Sequence, residues 1–254
     1  MRGVTLAGLA SAVVTGALAA AVTLTAGSGP AGAVAHGVDA TTGQFPFAVK
    51  LTMTSVPRPN GTTYDSACSA SLVSSEWIVT AGHCFHDVNR NPVSGPPQYR
   101  TTATIGVANL ADPGAVTVDV VDVRQSPVND VALAKLAEPV DGQALDIATE
   151  APVAGEQLTI AGWGATDSVN PAPSKQLRYG KVAVSSTTSK DALVHGVWPQ
   201  ADTSACTYDS GAPYFAGNGT LVSVESDGPD CPHAADETTA RVDVIASWIS
   251  QQIS

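Results

Sequence analysis

The chain has 254 residues, 44% of them hydrophobic and 14% charged, enough for the core of one large domain or two small ones and too apolar for a disordered chain. Its formal net charge is −11 and its 12 basic residues are scattered singly, which argues against nucleic acid or an anionic membrane as partner. No Cys-x-x-Cys pair and no EF-hand pattern of acidic residues occurs, so no metal or organic cofactor is expected.

Residues 1–33 read as a signal peptide. Arg2 is the lone charge, Val4 to Thr25 is apolar and small, Gly27, Gly29 and Pro30 break a helix, and Ala31-Gly32-Ala33 supplies small residues for cleavage. A transmembrane anchor is the competing reading of that run. No second apolar run of spanning length follows, so the product is expected to be secreted and extracellular, free of the membrane after cleavage. Export places the four cysteines in an oxidising compartment. Their spacing suggests Cys68 with Cys84 and Cys206 with Cys231, one of the three pairings that four cysteines allow. A loop of this size would be stabilised by about 3 kcal/mol.

From there the dominant period is two, the mark of half-buried strands. Phe47, Val49, Leu51 and Met53 alternate with Ala48, Lys50 and Thr52. Similar runs lie at 77–80, 104–107, 116–123, 131–136, 157–161, 177–184 and 220–224, separated by Gly, Pro, Asn and Asp clusters. That pattern predicts an all-β barrel or sandwich protein. A boundary between two β units falls at Glu138 to Pro152, and only the tail is helical, with a stripe of Val242, Ile245, Trp248, Ile249 and Ile253.

Three segments carry chemistry. Thr80-Ala81-Gly82-His83-Cys84, Asn129-Asp130-Val131-Ala132-Leu133 and Asp209-Ser210-Gly211-Ala212-Pro213 supply a histidine, an aspartate and a serine in that order. A serine hydroxyl is a weak nucleophile at neutral pH and needs an imidazole to take its proton and a carboxylate to orient that imidazole. His86, His195 and His233 lack the neighbours that mark His83 and are expected on the surface or in loops, and no role follows for His36.

The chain after residue 33 resembles the chymotrypsin-like (trypsin-like) serine peptidases. Val34-Ala35-His36-Gly37 is similar to that family's mature start, Gly43-Gln44-Phe45-Pro46-Phe47 to the motif that follows it, Cys68 to Val73 and Trp77 to Cys84 to its first strand pair and histidine loop, and Gly162-Trp163-Gly164 to a further landmark. The resemblance implies a peptidase domain over residues 34–254. It would comprise two six-stranded antiparallel β-barrels, at about 44–140 and about 150–240, and a C-terminal helix at about 242–253. It also implies the roles: Ser210 as nucleophile, His83 as base and then acid, Asp130 as its orienting partner, and Ser226 as a hydrogen-bond donor to Asp130. Cleavage before Val34 would free an amine to pair with Asp209, and the backbone N–H groups of Tyr208 and Ser210 would form the oxyanion hole.

Departures from the family pattern fall beside these positions. Tyr208 stands where the family has a glycine of positive φ, Ala212 replaces a second glycine, and Asp227 replaces a tryptophan. Ser204, Ser226, Gly228 and Glu237 are the expected specificity-pocket residues. Ser204 at the floor suggests apolar or aromatic substrate side chains, whereas Glu237 on the wall suggests lysine or arginine. Two functions follow: a secreted, monomeric serine endopeptidase acting on protein or peptide substrates, with ester hydrolysis as a side activity, or a non-catalytic relative that uses the scaffold for binding.

Overall fold

The computed structural model describes residues 33–254, together with Met1 and Gly3; the predicted signal segment is otherwise outside the described residues. After a two-residue strand, β1 (Val38–Asp39), come β2 (Ala48–Pro57), β3 (Thr63–Leu72), β4 (Trp77–Ala81), β5 (Arg100–Ile105), β6 (Val116–Gln125) and β7 (Val131–Leu136). The last six close into an antiparallel barrel in the order β2-β3-β4-β7-β6-β5. Then follow β8 (Asp146–Ile147), β9 (Gln157–Gly162), β10 (Arg178–Thr187), β11 (Asp191–Trp198), β12 (Pro213–Phe215), β13 (Thr220–Asp227) and β14 (Glu237–Arg241). Pairing of β9 with both β10 and β12 closes a second six-stranded barrel, β9-β10-β11-β14-β13-β12, with β1 and β8 added outside. The expected two-barrel fold is therefore the observed one.

Several boundaries differ from the period-two reading. The alternation at residues 47–53 buries Val49, Leu51 and Met53, yet β2 runs on to Pro57 through a bulge where Ser55 takes φ +59°. A bulge adds a residue and breaks the alternation, so the pattern ends before the strand does. The run expected at 104–107 is instead β5, ending at Ile105, because Gly106 turns the chain with φ +92°. β3 and β14 gave little alternation to read. In β3, Ala67, Cys68, Ser69, Ala70 and Ser71 are buried on both faces by small side chains.

The helical tail begins later than expected. Asp243–Ile245 is a 3-10 turn, and α1 (Ala246–Ile253) follows it. Ile245 and Ile249 are buried, with Trp248 and Ile253 packed against the same core. Arg124 of β6 donates from Nη1 to the Gln252 carbonyl at 2.8 Å, tying α1 to the first barrel. Among the described residues, no helix is long and apolar enough to cross a membrane.

Candidate active site

Strand register brings the histidine and the aspartate together. β4 and β7 are neighbours with Ala81 opposite Val131, so the residues just beyond those ends, in the turn Gly82–Phe85 and before Val131, meet. Gly82 N donates to the Asp130 carbonyl at 3.2 Å, which fixes the two segments side by side. His83 then engages the Asp130 carboxylate twice: its backbone N–H donates to Oδ1 at 2.8 Å and its Nδ1 lies 2.7 Å from Oδ2. Ser226 Oγ, from β13 of the second barrel, donates to the same Oδ2 at 2.7 Å. Burial raises the Asp130 pKa, but hydrogen bonds from His83 and Ser226 and the charge attraction of the imidazole outweigh it and hold the carboxyl below its usual range. Asp130 is thus a carboxylate with its oxygens committed to orienting His83.

Ser210 is carried on two consecutive tight turns. Asp209 N donates to the Cys206 carbonyl at 2.8 Å, and Ala212 N to the Asp209 carbonyl at 2.7 Å. The third residue of each turn has positive φ, +77° at Tyr208 and +80° at Gly211. That is the signature of type II turns, which ordinarily place Gly or Asn there. Tyr208 therefore occupies the left-handed conformation of the glycine it replaces, at a cost of roughly 1 to 3 kcal/mol. At Gly211 no side chain fits, because an added Cβ would run into the Thr80 hydroxyl and the backbone of Ser69 and Ala81.

Ser69 of β3 clamps this double turn onto the first barrel. Its N–H donates to the Ser210 carbonyl at 2.9 Å, while its hydroxyl accepts from Trp163 N at 2.9 Å and donates to the Tyr208 carbonyl at 3.3 Å. On the other side, Gly211 N donates to the Glu225 carbonyl at 2.8 Å, which sets Ser210 close to Ser226. His83 and Ser210 line one cleft of about 1210 Å³ with Tyr208, Ser226 and Asp227. Among the described residues no hydrogen bond joins His83 to Ser210, and the backbone N–H groups of Tyr208 and Ser210 have no intrachain acceptor. A base and nucleophile that are loosely placed in a free enzyme tighten when substrate arrives.

Val34 and Asp209 also meet. Val34 is fully buried, and its backbone N donates to Asp209 Oδ2 at 3.2 Å. Gly164 N donates to Oδ1 at 2.7 Å and Cys206 N to Oδ2 at 3.1 Å. Even so, burial pushes the Asp209 carboxyl up to about 7, with the neighbouring Glu237 charge adding to the effect. The two disulfides join Cys68 to Cys84 and Cys206 to Cys231, so one bridge ends beside His83 and the other begins four residues before Ser210.

A second cavity of about 240 Å³ opens beside Ser210, lined by Cys206, Ser226, Gly228, His233, Glu225 and Glu237 among others. Glu237 and Gly228 abut in its wall, since a Cβ on Gly228 would lie 3.3 Å from Glu237 Cγ. Ser204 is buried outside this lining, its Oγ accepting from His233 N at 3.3 Å. His233, read from sequence as a surface or loop residue, sits in a loop with its side chain only 10% exposed and Nε2 3.5 Å from Glu237 Oε1. Pro229, Asp230 and Cys231 of the same loop line the cavity with it. Sequence reasoning also passed over Tyr214 and Glu225, whose side chains are buried beside Glu237. An acid at the end of the apolar run Leu221-Val222-Ser223-Val224 was the available signal for Glu225.

Comparison with known proteins agrees with this geometry. The family model described as Trypsin matches residues 34–249. A trypsin-like protease of Streptomyces glaucescens is 30% identical over 78% of this chain and 74% of its own length. Trypsin alpha-4 of Lucilia cuprina is 27% identical over 86% of each chain, and serine protease 1 of Canis lupus familiaris 26% identical over 74% of this chain and 80% of its own. With two closed six-stranded barrels, two disulfides and a match across nearly all of the described residues, this chain belongs to the trypsin family of serine endopeptidases.

Proposed function

We propose that this chain is a secreted endopeptidase that cleaves peptide bonds through an acyl-enzyme on Ser210. Residues 1–33 are removed as a signal peptide, and the enzyme proper begins at Val34, with barrels at about 44–140 and 150–240 and the tail helix at about 242–253. His83 takes the Ser210 proton as the hydroxyl attacks the carbonyl carbon, and then returns it to the leaving amine. Asp130 keeps the second His83 proton on Nδ1 and stabilises the imidazolium that forms. Water repeats the sequence to release the acid. The observation that carries this reading is the His83–Asp130–Ser226 chain of 2.7 Å contacts opening onto the cleft that holds Ser210. Labelling with a serine-reactive fluorophosphonate tests it. Wild-type protein should label, and Ser210→Ala should not; a folded, processed wild type that fails to label would overturn it.

Tyr208 is the main ground for a non-catalytic reading, and its backbone supports the enzyme instead. A flipped Thr207–Tyr208 peptide would turn the type II turn into type I and bring Tyr208 to a φ of about −90°. At φ +77° its N–H is left, with that of Ser210, for an oxyanion. Tyr208→Gly is therefore expected to change kcat by less than about tenfold while relieving backbone strain. A gain of 10²- to 10³-fold, the worth of one oxyanion donor, would show that the tyrosine disables the hole.

Glu237 in the cavity beside Ser210 favours a lysine or arginine before the scissile bond. Asp227, exposed at the cleft, extends the same acidic character.

A further inference from the structure

Tyr214 stands between two buried glutamates. Its hydroxyl oxygen is 2.7 Å from Glu225 Oε2 and 2.5 Å from Glu237 Oε2, and all three side chains are shut away from solvent. A phenol has one proton and can donate to only one of them. The other short contact needs a proton from the carboxyl side, so the arrangement holds one proton beyond the tyrosine's own. Glu225 and Glu237 are therefore not both ionised in it.

Among the described residues the neighbours are mostly acids, and the nearest prospective cation is the amine that cleavage would free at Val34, which faces Asp209 and not the glutamates. Asp227 shares β13 with Glu225, Asp209 lies in the serine loop, His195 is on the adjacent β11, and His233, Asp230 and Asp236 precede Glu237. Of these, His195 is engaged by Ser185 at 2.7 Å, and His233 Nε2 is buried without a hydrogen-bond partner, 3.5 Å from Glu237. Among the described residues no lysine or arginine pairs with either glutamate. Glu237 Oε1 accepts from Ala205 N at 2.5 Å, which anchors the carboxyl on the cavity wall.

We propose that Glu225, Tyr214 and Glu237 form a proton-sharing unit that sets the specificity of the cavity: it holds its extra proton when a neutral side chain enters and releases it to solvent when a lysine or arginine side chain enters. The balance is one cation gained and one proton lost, so the buried charge is unchanged. Neutral residues are then accepted at low pH and basic residues favoured as pH rises. Burial agrees in direction, pushing Glu237 up to about 7 and Glu225 well above its ordinary range. The inference rests on the reading of this cavity as the primary specificity pocket.

Peptide anilides with lysine or norleucine before the scissile bond differ chiefly in the ammonium. Their kcat/KM ratio cancels the titration of His83, which both share. In wild type the lysine-to-norleucine ratio should rise at least about tenfold between pH 5 and 9. Glu225→Gln leaves the tyrosine proton to Glu237 alone and should move the midpoint down by about one pH unit or more. Tyr214→Phe removes the donor and should move it up. Glu237→Gln should give a low, flat ratio. If Glu237→Gln keeps the lysine preference, the pocket reading itself fails and this inference with it. If Glu237→Gln abolishes the preference but the wild-type ratio is flat, or neither Glu225→Gln nor Tyr214→Phe moves the midpoint, the pocket stands and proton sharing is overturned. Calorimetry of benzamidine binding at pH 6, in buffers of different ionisation heat, gives a readout free of turnover. About one proton should be released by wild type and about half a proton or less by Glu225→Gln; no release from wild type would overturn the proposal.

Discussion

Ser210→Ala is expected to lower kcat by about 10⁶-fold and Asp130→Asn by about 10⁴-fold, with KM little changed in either. The first loss removes the nucleophile. The second follows from the contacts of Asp130, which accepts from His83 N, His83 Nδ1 and Ser226 Oγ at 2.7 to 2.8 Å. Asparagine fills the same space but has only one acceptor oxygen. If that oxygen serves the backbone N–H of His83, the amide NH₂ faces Nδ1 and can only donate to it. The imidazole proton then moves to Nε2, where it blocks transfer from Ser210. Fold and substrate binding should survive, so thermal unfolding of Asp130→Asn should be close to wild type. The double variant should be no slower than Ser210→Ala alone, because the two residues act as a unit. Initial rates on a peptide amide decide the matter, and an Asp130→Asn enzyme with a tenth of wild-type activity would refute the assigned role.

What could be read before the coordinates depended on how each residue announces itself. His83, Asp130 and Ser210 sit in uncommon local contexts, and the runs that become β4 and β7 are apolar enough to place the first two. β3 escaped the period-two reading because its buried half is built of Ala, Ser and Cys, so neither face stands out as hydrophobic. Resemblance to family motifs, and not alternation, located it. Tyr208 was legible as a departure, but only its φ of +77° shows that the type II turn is kept. The Glu225–Tyr214–Glu237 contact joins residues on three strands, 11 and 23 positions from the tyrosine. No local pattern encodes such a meeting. Ser204 and Glu237 pointed to opposite substrate preferences in the sequence, and the cavity beside Ser210 is lined by Glu237 and not by Ser204.

Asp209→Ala is expected to cost about 3 to 5 kcal/mol of stability in a chain beginning at Val34, and on the order of 10³ in kcat/KM. The carboxyl accepts from Gly164, Cys206 and Val34, and its removal strands three buried N–H groups around the turns that carry Ser210. Charge makes the same residue sensitive to processing. While Val34 remains in peptide linkage its N–H is a neutral donor, and burial keeps Asp209 up at about 7. A raised acid contributes stability that is full below about pH 4, its unfolded value, and is lost as pH rises through 7, at about 1.4 kcal/mol per unit. A free amine at Val34 supplies the missing positive charge, lowers the Asp209 pKa and keeps that stability through neutral pH. A chain starting at Val34 should therefore be more stable at pH 7 than one carrying a single extra alanine before it, by about 3 kcal/mol. The gap should shrink toward pH 4. Glu225 and Glu237 titrate in the same direction and are present in both chains, so only the part of their titration that is coupled by charge to Asp209 enters the difference. Urea unfolding of the two chains across that range measures the gap. Equal stability at pH 7 would mean that the buried carboxyl is satisfied by neutral donors alone and that the new terminus is not its partner.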